Sequence, residues 1–156
     1  MLARHAKSKE LGDFGGGIRQ SETGLQGGYR EWMEESRNIF AAEYPSEEYL
    51  KGNPALLNEG MAVVFVQVSS EWYETASELF LRSGTGKKCS DEVSEVVWVD
   101  ERTFTRMIYS YSRSASGRSS DVLWKKVQIF FRKCLAPRSI ACISRVVSAP
   151  GIMIGA

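Results

Sequence analysis

Histidine is almost missing from this 156-residue sequence: His5 is the single one, so nucleophilic catalysis built on a histidine base has little to draw on. Cysteine is scarce as well. Cys89, Cys134 and Cys142 are odd in number and form no C-x-x-C pair, which argues against a disulfide framework or a cysteine zinc site and for reduced, buried thiols. An excess of charge of either sign is missing too, and a net charge of +1 gives no bulk attraction to nucleic acid or to a membrane. No apolar run approaches the roughly 20 residues that cross a bilayer. The N-terminus, with Arg4, Lys7, Lys9 and Glu10, lacks the apolar core of a signal peptide. These absences leave a soluble cytoplasmic protein of one domain, long enough to bury a core.

The chain opens on an apolar piece, Leu2 to His5, that reads as the end of a strand, followed by a polar loop and the glycines Gly15, Gly16 and Gly17. Thr23 and Gln26 have the spacing of a capping box, which predicts a helix start at Thr23. Leu25, Tyr29 and Trp32 define its buried face, and its end is expected near Arg37 or Asn38. Gly24, Gly27 and Gly28 weaken such a helix, so close packing or a site that needs room is expected there. The text from Phe40 to Asn58 is polar and broken by Pro45 and Pro54, and predicts a loop with a short helix at Ser46 to Leu50. Strands are predicted over Met61–Val68, Glu78–Arg82 and Val93–Val99, with a turn at Gly84–Lys88. A helix over Glu101–Tyr109, a serine-rich loop over Ser110–Ser120 and an amphipathic helix over Val122–Cys134 complete the main body. The tail, residues 137–156, has no clear period and is expected either to add an edge strand or to stay poorly ordered.

The chemistry is concentrated between Gly15 and Glu35. Glu31, Glu34 and Glu35 fall on one face of the predicted helix, because residues three and four apart are neighbours there. Carboxylates that close repel one another unless a cation binds among them, and an all-oxygen set suits Mg²⁺ or Mn²⁺ rather than zinc or copper.

Gly16, Glu22 after five residues, then Arg30-Glu31-Trp32 after seven, and Glu34-Glu35 after one more, resemble the Nudix box. The resemblance covers about a seventh of the chain. It implies a Nudix-type α/β/α sandwich with a mixed sheet over residues 1–136, its first strand missing or replaced by the tail. It also implies a divalent metal, Mg²⁺ or Mn²⁺, held by Glu31, Glu34 and Glu35 with a backbone carbonyl of Gly15 or Gly16. Arg30 would orient the glutamates, and Glu22 would brace the loop or help bind a second metal. The general base would come from the segment around Glu95-Val96-Val97-Trp98, with Glu95 first and Glu92 second, or from Glu34 or Glu35. Two positions depart from the box: Arg37 stands at its late glycine and Asn38 at the following apolar site.

The activity so implied is hydrolysis of a nucleoside diphosphate linked to another group. The substrate would be a nucleotide-type small molecule, or capped RNA held by Lys125, Lys126, Arg132, Lys133 and the Arg113–Arg118 loop. A third alternative is a Nudix-fold module that binds a nucleotide without cleaving it. Neither the substrate nor the oligomeric state follows from these residues.

Overall fold

A computed structural model describes residues 1–58, 60–84, 92–109, 123–134 and 143–145. Leu2–His5 forms strand β1, which pairs antiparallel with β2 (Leu11–Gly12) and β5 (Val93–Val97) in the order β2-β1-β5. Leu2 and Ala3 are both buried because successive strand residues point to opposite faces and both faces are covered. The register shifts between Arg4 and His5, where Arg4 faces Glu95 and His5 faces Val93. Ser94 is the extra residue of this bulge, and its Oγ donates to the Arg4 carbonyl at 3.2 Å. The shift puts Val93 and Val96 in one core despite their odd spacing.

Helices α1 (Gly24–Glu35) and α2 (Glu71–Ser83) cover one face of this sheet, joined to Ala3, Val93 and Val96 by an aromatic core of Trp32, Phe40, Tyr44, Trp72 and Phe80. Phe40 is the centre, with ring centroids 4.5 Å from Trp72 and 5.3 Å from Trp32. Helices α3 (Glu101–Tyr109) and α4 (Lys125–Cys134) cover the other face, where Leu2 and Leu11 meet Met107, Ile108, Val127, Phe130 and Phe131. The chain is therefore a mixed α/β structure. A second antiparallel sheet, in the order β4-β3-β6, is built from β3 (Pro54–Asn58), β4 (Met61–Val64) and β6 (Ile143–Arg145). No helix among the described residues is long and apolar enough to cross a membrane.

The capping box at Thr23 is present in both directions: Gln26 N–H donates to Thr23 Oγ1 at 3.2 Å, and Thr23 N–H donates to Gln26 Oε1 at 3.0 Å. At the other end the helix stops at Glu35, short of the expected Arg37 or Asn38. The reason is a Schellman-type close in which Asn38 N–H donates to the Met33 carbonyl and Arg37 N–H to the Glu34 carbonyl. Arg37 and Asn38 take φ of 59° and 58°, the left-handed region where glycine is the usual choice. Arg37 is held there by its side chain, which donates to the Phe80 carbonyl at 2.9 Å and to that of Val93 at 3.4 Å, and lies 3.9 Å over the Phe80 ring.

Several expectations need correction. Glu78–Arg82 is not a strand but part of α2, because Trp72, Ala76 and Phe80 recur every fourth residue and are buried while Leu79 and Leu81 are exposed. Pro54–Asn58, expected as loop, is β3; Pro54 begins the strand, where no ladder N–H is required of it. β4 ends at Val64 rather than Val68, since Phe65 N–H already reaches the Pro54 carbonyl, where β3 begins. β5 likewise ends at Val97, paired with Leu2, rather than at Val99. The expected mixed sheet also changes: the four ladders described are antiparallel, and the parallel pairing described is the bridge between Leu11 and Leu123.

Glu101–Tyr109 is helical over its expected span, while α4 starts at Lys125 rather than Val122; Val127, Phe130 and Phe131 on it and Leu123 just before it are buried. In the tail, Ile143–Arg145 pairs with β3, which meets the edge-strand alternative for those residues. The Ser110–Ser120 loop, the Gly84–Lys88 turn beyond Gly84, and the boundary at residue 136 lie outside the described residues.

Candidate functional site

The loop from Asp13 to Glu22 connects β2 to α1. It lays Gly15, Gly16 and Gly17 against the second half of the helix, at Glu35, Glu31 and Arg30, while Ile18 and Glu22 lie against its first turn. Gly27 makes this possible, since a Cβ there would stand 3.2 Å from Ile18 Cγ1 and 3.3 Å from Glu22 Oε2. This is the close packing that the helix glycines foreshadow.

Arg30 is the hub of the site. Its Nε donates to Glu22 Oε1 at 2.6 Å, and its Nη2 reaches Glu22 Oε2 at 3.1 Å and the Gly17 carbonyl at 2.9 Å. Its Nη1 donates to Glu31 Oε1 at 2.6 Å and Glu34 Oε2 at 3.1 Å. One planar guanidinium thus ties the loop to two positions on the helix, a task for which its fixed fork of donors is suited. The bonds from Arg30, then the one from Arg19 N–H, hold the Glu22 carboxyl down at about 2. Arg30 in turn is pushed above its ordinary value, chiefly by its bond to Glu22. Arg19 adds a looser ion pair to Glu34 at 3.4 Å. Glu31 lies against the loop, and a Cβ at Gly16 would stand 2.5 Å from its carboxyl carbon. Only a glycine lets that carboxylate keep its place.

Glu35 has the opposite setting. It is 4% exposed, and its Oε2 accepts the Gly15 N–H at 2.9 Å. Burial raises its pKa to about 8; the Gly15 N–H opposes this, while the charges of Glu31, Asp13 and Glu92 add to it. Asp13 is also raised, by burial first, with its own backbone N–H and His5 pulling the other way.

The structure therefore brings together Gly15, Gly16, Glu22, Arg30, Glu31, Glu34 and Glu35 around one loop–helix junction. It does not converge the carboxylates: among the described residues no three His, Cys, Asp or Glu are gathered as a metal-holding group. Arg30 stands among Glu22, Glu31 and Glu34, and Glu35 is turned toward the Gly15 N–H. The donor chemistry still fits a hard divalent cation. All the candidate ligands are oxygens, the Gly16 backbone is open to the Glu31 carboxylate, and the neighbouring acidic charge that lifts Glu35 is not fully neutralised by Arg30 and Arg19.

Glu95 lies elsewhere in its contacts. Its carboxylate, 52% exposed, accepts from Arg4 Nε at 2.7 Å on the neighbouring strand. Glu92 is the one of the two whose charge reaches Glu35. The Arg113–Arg118 loop lies outside the described residues. Of the basic side chains on α4, Lys125, Lys126 and Lys133 are exposed, whereas Arg132 Nε donates inward to the Ile108 carbonyl at 2.6 Å.

Two residues escaped the sequence reading, Asp13 and Arg19. The first has a signal, an acid set two residues before the glycines; the second lies inside the box spacing, where any residue is allowed. Asp13, Gly15 and Gly16 also line a cavity of about 250 Å³ whose other walls include Phe14, Trp32 and Phe65. No family model, no curated protein and no solved structure matches this chain.

Proposed function

We propose that this chain is a Nudix-type hydrolase that cleaves a phosphoanhydride bond in a nucleoside diphosphate linked to another group. The observation that carries the reading is the Arg30 hub: the arginine required by the motif binds the Glu22, Glu31 and Glu34 side chains at once, while Glu35 is tied to the glycine loop. Helices on both faces of the β2-β1-β5 sheet support the α/β/α sandwich that goes with it.

Each residue then has a task. A Mg²⁺ or Mn²⁺ ion held by Glu31, Glu34 and Glu35, with a carbonyl of Gly15 or Gly16, would neutralise charge on the diphosphate and acidify the attacking water. Arg30 fixes the rotamers of Glu31 and Glu34, and Glu22 fixes Arg30. In the metal-free protein burial raises Glu35 to about 8, with the charges of Glu31, Asp13 and Glu92 adding to it. A cation in contact with it would hold it ionised, so Glu35 would be the general base only where the ion leaves it free. Glu95, engaged by Arg4, is the weaker choice for that role.

The test is Glu34→Gln and Glu35→Gln. Each should lower turnover by orders of magnitude with an unchanged circular dichroism spectrum. Hydrolysis at the wild-type rate in both variants would overturn the assignment.

A further inference from the structure

A net charge of +1 conceals a separation of charge across the β2-β1-β5 sheet. The helices on one face, α1 and α2, carry six acidic side chains and two basic ones. Those on the other face, α3 and α4, carry six basic side chains and one acidic one, Glu101. Five of the six, Arg102, Arg106, Lys125, Lys126 and Lys133, are exposed. The sixth, Arg132, fastens the two helices together. Its Nε donates to the Ile108 carbonyl at 2.6 Å, and Gln128 Nε2 donates to the Met107 carbonyl at 2.8 Å. Both carbonyls lie in the last turn of α3, where no N–H of that helix remains to take them. The exposed cations therefore stand on one two-helix surface. Asp100, just before α3, is the nearest further acid in the chain, and its carboxylate accepts from Thr103 N–H at 2.8 Å and Thr103 Oγ1 at 2.7 Å.

Two of these cations break a local rule. Lys125 and Lys126 open α4, where the helix dipole disfavours positive charge and no acidic residue stands in the first turn. Breaks of this kind are expected at functional sites. The partner must be anionic, and the surface itself narrows the choice. A helix that enters a membrane interface needs an apolar face to bury there. That of α4, with Val127, Phe130 and Phe131, is already inside the core, which leaves Ile129 as its exposed large apolar side chain. Aromatic rings accompany the cations instead: Tyr109 at the end of α3 is 53% exposed, and Lys126 Nζ lies 5.2 Å from the half-buried Trp124 ring. Cations interleaved with rings suit a single-stranded nucleic acid, whose phosphates meet the charges and whose bases stack. An acidic peptide has no bases to stack.

We infer that the α3–α4 surface binds single-stranded nucleic acid through its phosphates, with Tyr109 as a platform for one base. This goes beyond the hydrolase reading and does not depend on it, because no metal, no phosphoanhydride and no residue of the glycine loop takes part.

The test uses the full chain in EDTA and a fluorescent oligouridylate of roughly 16 nucleotides, the upper site size of small single-strand modules. Its 5′ end is a hydroxyl, so it offers no phosphoanhydride to cleave. Anisotropy is followed from low to physiological KCl, beside polyglutamate of equal charge and anionic phosphatidylserine vesicles. The oligonucleotide should bind ten times or more as tightly as either competitor. Three to five phosphate contacts predict a log–log salt slope of about −2 to −3.5. Lys125→Gln with Lys126→Gln should weaken binding about tenfold and make the slope shallower by about 1.4. Tyr109→Ala should weaken it about tenfold and leave the slope unchanged. Arg82→Gln removes one charge from the opposite face and should change neither. Equal losses in Arg82→Gln and Lys126→Gln overturn the proposal, as does equal affinity for polyglutamate or vesicles. Should a variant fail to fold, the wild type decides: no binding at low salt, or a slope shallower than about −1.4, overturns it.

Discussion

Glu22 and Glu35 are the same kind of side chain on two sides of one loop, and their surroundings drive them apart. Glu22 accepts two bonds from a guanidinium and stays ionised down to about pH 2, whereas Glu35 is buried with a single neutral donor and keeps its proton up to about pH 8. The contrast shows how far surroundings alone can move one type of side chain. Glu22, gripped by two donors of Arg30, is fixed in charge and position, whereas burial and like charge favour the neutral form of Glu35.

The largest effect expected on the loop comes from Gly16→Ala. The new Cβ meets the Glu31 carboxyl, a flexible group that can swing away, so the fold survives while the carboxylate is displaced. An ångström of misplacement is worth about a hundredfold in rate, and turnover should fall by that order with little change in Tm. Gly17→Ala is the control, since nothing lies within 4 Å of a Cβ there. Equal losses in both variants would show that loop flexibility, rather than the seat of Glu31, is what matters.

Arg30→Met comes next. It frees Glu22, Glu31 and Glu34 to repel one another, so Tm in EDTA should drop by several degrees. Mn²⁺ should restore more of the lost Tm in the variant than it adds to the wild type. A variant indifferent to Mn²⁺ contradicts the idea that these carboxylates share a cation.

The pH dependence of the metal-free protein sharpens the contrast itself. Because the folded value of Glu35 lies above its ordinary 4.5, the folded protein holds a proton that the unfolded chain releases between pH 4.5 and 8. Stability from this group is full below pH 4.5 and is lost as pH rises to about 8. Glu22 runs the other way: its stabilisation is full above 4.5 and is lost as pH falls toward 2. Thermal melts across this range should decline on both limbs, and Glu35→Gln should flatten the upper one alone. A slope that persists in that variant removes Glu35 as its source.

Arg37→Gly gives the smallest effect. Glycine relieves a left-handed backbone at a cost of roughly 1–2 kcal/mol to arginine, but the change deletes two hydrogen bonds and the contact with Phe80. A net loss of about 1 kcal/mol is expected in urea unfolding. A gain in stability would mean that the strap from α1 to α2 and β5 contributes little.

The legible parts of the molecule are those whose signal is local. Thr23 and Gln26 announce the start of α1, and the spacing from Gly16 to Glu35 gathers the charged groups around one junction. What hid from the sequence depends on partners far along the chain. α2 was obscured because Leu79-Phe80-Leu81 is a short apolar run that fits a strand as well as a helix, and the period of four set by Trp72, Ala76 and Phe80 shows only over a longer window. β3 was obscured by Pro54, whose missing N–H is harmless only because the strand begins there. The pairing of Glu95 with Arg4 spans most of the chain and could not be read from spacing.

The central claim is that the glycine loop and its glutamates cleave phosphoanhydrides with the help of a divalent cation. Its most direct test is a panel of nucleoside triphosphates, ADP-ribose, dinucleoside polyphosphates and capped RNA, incubated with the protein in Mg²⁺ or Mn²⁺ and resolved by chromatography. The account predicts cleavage at the pyrophosphate linkage of at least one substrate, abolished by EDTA. Intact substrates throughout, or cleavage that persists in EDTA, would contradict it.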